Sequence, residues 1–148
     1  MADLPLGFLL VDAARLYRAR IARAFEQAGL GLTSGEARTL LHVSIHPGLR
    51  QGVLAERMSV EPMTMVGFLD RLEARGLITR ASDPKDRRAK IVCLTPAAAP
   101  LLKQVRAVAD AAREDILSGI DDADRALFRA VLMRLRTNLD TCARRDES

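Results

Sequence analysis

Apolar residues recur at three- and four-residue steps along nearly all of this chain, and the pattern breaks only once. After Gly76 it gives way to Leu77-Ile78-Thr79-Arg80 and Lys90-Ile91-Val92-Cys93-Leu94, two short runs that bracket the polar connection Asp83-Pro84-Lys85-Asp86-Arg87-Arg88. Helical spacing specifies helices with one apolar face, whereas short runs rich in Ile, Val and Thr around a Pro- and Asp-bearing turn specify a hairpin. The chain is thereby restricted to a mainly α fold carrying one small β-hairpin. Its 148 residues, 49% of them hydrophobic, suffice for one ordinary core.

The helices can be placed by their ends. The first carries Leu10, Ala14, Tyr17, Ile21, Ala24, Phe25 and Ala28 on its apolar face and stops at Gly29 and Gly31. Thr33-Ser34-Gly35-Glu36 has the spacing of a capping box and opens a second helix, which Pro47 and Gly48 end. A short helix from Gln51 to Met58, a tight connection at Ser59-Val60, and Glu61-Pro62 opening a fourth helix together read as a helix-turn-helix. Met65, Phe68, Leu69 and Leu72 turn inward on that fourth helix, leaving Met63, Thr64, Gly67 and Arg71 on another face. Thr95-Pro96 starts a helix carrying Leu101, Val105, Val108, Ala112 and Ile116, with Pro100 delaying its regular part. A last helix, capped near Asp121 or Asp122, directs Phe128, Val131, Leu132, Leu135 and Leu139 inward, and its end at 144–148 is expected to fray.

Charge is concentrated on the hairpin. Lys and Arg exceed Asp and Glu by 23 to 19, a net +4. Between Arg80 and Lys90, five basic residues (Arg80, Lys85, Arg87, Arg88, Lys90) face two acidic ones. A charged turn is ordinarily only solvated; beside a helix-turn-helix it also suits duplex DNA, with a helix in the major groove and an arginine in the narrow minor groove. Asp83 and Asp86 repel phosphate, so they either stabilise the turn or orient an arginine by ion pairing. Arg71 either pairs with Asp70 or Glu73 or reaches a phosphate, the latter being preferred. Met63 either meets a thymine methyl or belongs partly to the core.

These residues carry a resemblance. Asp86-Arg87-Arg88 followed by Leu94-Thr95 resembles the D-x-R, then L-T, wing signature of the MarR family of bacterial regulators, and Leu54-Ala55-Glu56-Arg57 and residues 69–77 are similar to that family's text. Val60-Glu61-Pro62 is nearest in flavour to its SlyA-like branch. The resemblance implies a winged helix-turn-helix at 33–95 and a helical dimerisation region at 1–32 and 96–148. It further implies a cytoplasmic homodimer on a pseudo-palindromic operator, acting as a repressor. By position, Glu61 to Arg71 becomes the recognition helix, with Glu61, Met63, Thr64, Gly67 and Arg71 at DNA. Arg88 becomes the minor-groove residue, with Lys85 and Arg87 beside it and Asp86 as its orienter. Val66-Gly67 departs from the polar or basic residues common there, so Gly67 marks either close backbone approach to DNA or a position without a role.

The family also implies a small aromatic or phenolic acid between the dimer helices and the DNA module. Arg15, Tyr17, His42 and His46 are the polar groups to consider, each with a purely structural reading beside the ligand-binding one. Cys93 and Cys142 lack metal-ligand spacing and read as inert, with a redox role left open. No metal and no cofactor is expected. The chain has no H-E-x-x-H, no G-x-S-x-G and no phosphate-binding glycine loop, which argues against an enzyme. It has no apolar run of membrane-spanning length, and Leu4 to Val11 lacks the features of a signal peptide. The competing reading is a helical dimerisation or protein-interaction module, which would leave the basic hairpin without a purpose.

Overall fold

The structure, a computed structural model, describes residues 4–146. The chain divides into two compact units, one running to Arg113 and one from Glu114 onward. The first holds α1 (Leu6–Ala28), α2 (Ser34–Ile45), β1 (Leu49–Arg50), α3 (Gln51–Met58), α4 (Pro62–Ala74), β2 (Ile78–Asp83) and β3 (Asp86–Leu94). After a 3₁₀ turn at Pro96–Ala98 it takes in most of α5 (Ala99–Ile116), and the second unit holds α6 (Asp122–Asp146). The fold is mainly α with a small antiparallel wing.

Local chemistry sets the boundaries. The capping box forms as read: Thr33 Oγ1 accepts from Glu36 N at 3.2 Å, and Glu36 Oε2 accepts from Thr33 N at 3.0 Å. Pro62 sits in the first turn of α4, where its missing N–H is harmless. That helix ends in a Schellman pair, with Gly76 at φ 70, Gly76 N–H bonded to Glu73 O and Leu77 N–H to Leu72 O. The same pairing closes α3, where Ser59 adopts φ 53 and the amides of Ser59 and Val60 reach Glu56 O and Ala55 O. A non-glycine residue in the left-handed region makes the turn between α3 and α4 abrupt. Asp121 Oδ1 accepts from Asp124 N at 2.8 Å and caps α6, which runs through Arg144 and Arg145 to Asp146; Glu147 and Ser148 lie outside the described residues.

The core of the first unit lies where α2, α3 and α4 meet the sheet. Leu40, Leu54, Met58, Met65, Leu69, Leu72, Ile78 and Val92 are each less than 2% exposed. Strand order is β1-β3-β2, with Leu49 opposite Val92 and Ile78 opposite Leu94. β2 and β3 run further than the apolar runs suggested, and pair out to Asp83 opposite Asp86.

The apolar face of α1 is only partly covered within the chain. Ile21 and Phe25 are buried, but Leu10, Ala14 and Tyr17 are exposed, as are Leu6, Phe8, Leu9 and Val11 around them. In α6 no described residue is buried; Leu132 and Leu135 are half-buried, while Phe128, Val131 and Leu139 are more than half exposed.

Candidate nucleic-acid interface

On α4 the face opposite the core presents Met63 at 80% exposure, together with exposed Thr64. Met63 is therefore not core. Glu61 is exposed at the helix start in an extended conformation. Gly67 is half-buried, and a Cβ there would meet only Arg71 Nη1 at 3.5 Å, so nothing within the fold demands a glycine. Gly35 is the opposite case: a Cβ on it would collide with the Phe68 ring, so α2 and α4 approach closely only because that side chain is missing.

Three arginines take up the acids of this region. Arg71 donates through Nε to Glu36 Oε1 and lies 5.7 Å over the Phe68 ring. Sequence reading offered Asp70, Glu73 or phosphate as its partner; the fold supplies Glu36, whose side chain is 6% exposed while Arg71 stays 54% exposed. Asp70 and Glu73 instead hold Arg80, whose Nη2 donates to Asp70 Oδ1 at 2.7 Å and Glu73 Oε2 at 2.5 Å. The Arg80 hydrogen bond holds the Glu73 carboxyl below its usual range. Arg80 is thus a brace between α4 and β2, not one of the free cations of the hairpin.

At the tip, Asp83 Oδ1 accepts from Lys85 N at 2.8 Å and Asp83 Oδ2 accepts from Arg50 Nε at 2.7 Å; these bonds, the Lys85 amide first, hold its carboxyl below the usual range. Asp86 Oδ1 accepts from Arg88 N at 3.1 Å. Asp86 therefore fixes the backbone of Arg88, not its guanidinium, and its ion pair is with Arg50 at 3.8 Å. Lys90 Nζ donates to Ser82 Oγ at 3.2 Å, while exposed Lys85, Arg87 and Arg88 have no side-chain partner among the described residues. Sequence reasoning missed Arg50, because a two-residue strand carries no periodicity by which to place it.

The ligand candidates are divided between two helices. Arg15 pairs with Asp12 at 2.6 Å on the exposed side of α1, where Tyr17 is 44% exposed. His42 lies in the last turn of α2 and His46 is its C-cap, with His46 N–H bonded to His42 O, and His42 Nδ1 is buried without a hydrogen-bond partner among the described residues. Burial first, then Arg38, His46 and Arg57, push the His42 pKa down. Arg38 Nη2 donates to Met58 O at 3.2 Å, and burial and then Arg18 lower its own pKa. No hydrogen bond or ion pair among the described residues joins Arg15 or Tyr17 to either histidine. Arg38 was legible but overlooked: it precedes His42 by four residues, one turn away on α2. None of the four candidates lines an open groove of about 580 Å³ beside Phe25, Leu32, Glu36 and Arg71.

Cys93 is half-buried and Cys142 exposed, both as free thiols. Among the described residues no His, Cys, Asp and Glu cluster could hold a metal ion, and no helix is long and apolar enough to cross a membrane.

Residues 32–90 match the profile of the MarR family. The structure is similar to that of a transcriptional regulator, PA3341, at 36% identity and TM-score 0.73, covering 91% of this chain and 98% of that one. It is similar also to a MarR-family transcriptional regulator from Silicibacter pomeroyi, at 29% identity and TM-score 0.75 over 90% and 89% of the two chains. A third, CouR from Rhodococcus jostii RHA1 bound to p-coumaroyl-CoA, shares 30% identity at TM-score 0.69 over 88% and 91%.

Proposed function

Because the chain belongs to the MarR family, whose members are transcriptional regulators and not enzymes, we propose that it acts in the bacterial cytoplasm as a homodimeric repressor of a pseudo-palindromic operator. In this reading α4 enters the major groove with Met63, Thr64 and Gly67 toward the bases, and Arg71 meets phosphate. The wing lies along the adjacent minor groove, with Arg88 inserted and Lys85 and Arg87 flanking it.

The observation that carries the reading is the distribution of charge. Arg71, Arg80 and Arg50 engage the nearby carboxylates of Glu36, Asp70, Glu73, Asp83 and Asp86. The wing-tip cations Lys85, Arg87 and Arg88 make no side-chain hydrogen bond or ion pair among the described residues. Such a surface favours a polyanion.

The release signal is proposed as a small aromatic or phenolic ligand, supported by the p-coumaroyl-CoA bound to CouR. On this chain the polar groups offered to it are His42 and His46, with Arg15 and Tyr17 on the neighbouring helix.

The test is binding to the intergenic duplex upstream of the protein's own gene, against scrambled DNA of equal length, across a salt series. Selective binding that weakens as salt rises, by a slope of about 0.9 per phosphate contact, is expected. Arg88→Ala should weaken operator binding by about 1–3 kcal/mol without altering the oligomeric state. An Arg88→Ala protein that binds as tightly as wild type refutes the wing assignment.

A further inference from the structure

We propose that Arg50 is a positioning residue for the wing, setting where the hairpin tip meets DNA; this rests on the DNA-binding reading above. Arg50 occupies the N-cap of α3, where Ser, Thr, Asp or Asn would accept a hydrogen bond from the first turn. It makes no such bond, and a cation at a helix N-terminus opposes the helix dipole. Nothing about α3 calls for arginine there.

The side chain serves the wing instead. Its Nε bonds Asp83 Oδ2 at 2.7 Å and its Nη1 lies 3.8 Å from Asp86 Oδ2. Those two carboxylates hold the amides of Lys85 and Arg88, so one guanidinium engages both groups that shape the turn. Its bonds are the only ion pairs or hydrogen bonds, among the described residues, that tie 83–88 to anything outside the hairpin. β1 pairs with β3 only as far as Ile91, and beyond it the hairpin is a two-stranded ribbon, which by itself is weakly ordered. Arg50 therefore links the tip to the start of α3, and so to the helix-turn-helix, while neutralising the acids that would repel phosphate.

The discriminating variant is Arg50→Ser, which gives α3 a capping hydroxyl while cutting the tie. It should melt no lower than wild type yet bind the upstream intergenic duplex about tenfold more weakly. In an Arg88→Ala background the same change should alter binding by no more than about twofold, since Arg50 acts through the wing. In the free protein, hydrogen exchange at the Lys85 and Arg88 amides should accelerate in Arg50→Ser. Equal losses in both backgrounds would make Arg50 an independent DNA contact and overturn the proposal, as would wild-type affinity with unchanged exchange. Wild-type protein indifferent to duplex DNA would sink the DNA reading and this inference together; wild-type binding with an unaffected Arg50→Ser protein would sink this inference alone.

Discussion

A histidine whose ring nitrogen is buried without a partner makes folding sensitive to protons, and His42 is in that position. Burial and the neighbouring Arg38, His46 and Arg57 all disfavour its charged form, so its folded pKa lies below the ordinary 6.5. The sign follows from linkage. Above pH 6.5 the ring is neutral in both states; as pH falls below that value the unfolded chain takes up a proton that the folded chain resists, and stability declines. His42→Leu removes the titration and the orphaned nitrogen together. Between about pH 8 and about pH 5.5 its melting temperature should fall less than that of wild type. Equal falls in the two proteins would assign the pH dependence elsewhere.

The contact between α2 and α4 depends on Gly35 accommodating the Phe68 ring, which also carries the Arg71 guanidinium. Gly35→Ala adds about 1 kcal/mol of helix propensity but displaces the ring, and overpacking of this kind costs about 1–3 kcal/mol. We expect net destabilisation in urea unfolding, and no destabilisation when Gly35→Ala is made in a Phe68→Ala background. Destabilisation of equal size in both backgrounds would show that the ring is not the obstacle. This dependence also marks how far the sequence could be read. Helix ends were legible because capping boxes, first-turn prolines and terminal glycines act within a few residues, and the inward stripe of Met65, Leu69 and Leu72 shows in the spacing. β1 was not, since two residues show no alternation. The wing strands were read too short because Asp83, Asp86 and Arg88 look like loop residues until the Arg50 ion pairs and the Lys85 and Arg88 amides absorb the two carboxylates. On the wing, the clustered charge of Arg87 and Arg88 was legible; the exchange of partners that sends Arg71 to Glu36 and Arg80 to Asp70 and Glu73 is tertiary, and local spacing points to the wrong acids.

At the scale of the whole molecule, the terminal helices pose a problem that a single chain leaves open. Leu6, Phe8 and Val11 on α1 are 78%, 70% and 68% exposed, and Leu127, Phe128 and Met133 on α6 are 63%, 56% and 60% exposed. Helices in proteins owe most of their stability to burying an apolar face, and α6, a 25-residue helix, has no fully buried residue among those described. A second copy would supply that burial, and the same assembly would carry two wings to one operator. The full-length protein should therefore sediment at twice the 16.2 kDa of its chain. Phe128→Asp should shift it toward the single-chain mass, while the helix-turn-helix unit keeps its own cooperative unfolding. Binding to the two-half-site operator should then fall by about 100-fold or more, because the second half-site loses its effective-concentration advantage. A single half-site duplex should be bound about equally by both proteins, which separates loss of assembly from damage to the DNA-contacting surface. A wild-type protein sedimenting as a monomer would remove the homodimer from the proposal; a Phe128→Asp protein that remains dimeric would move the interface away from α6.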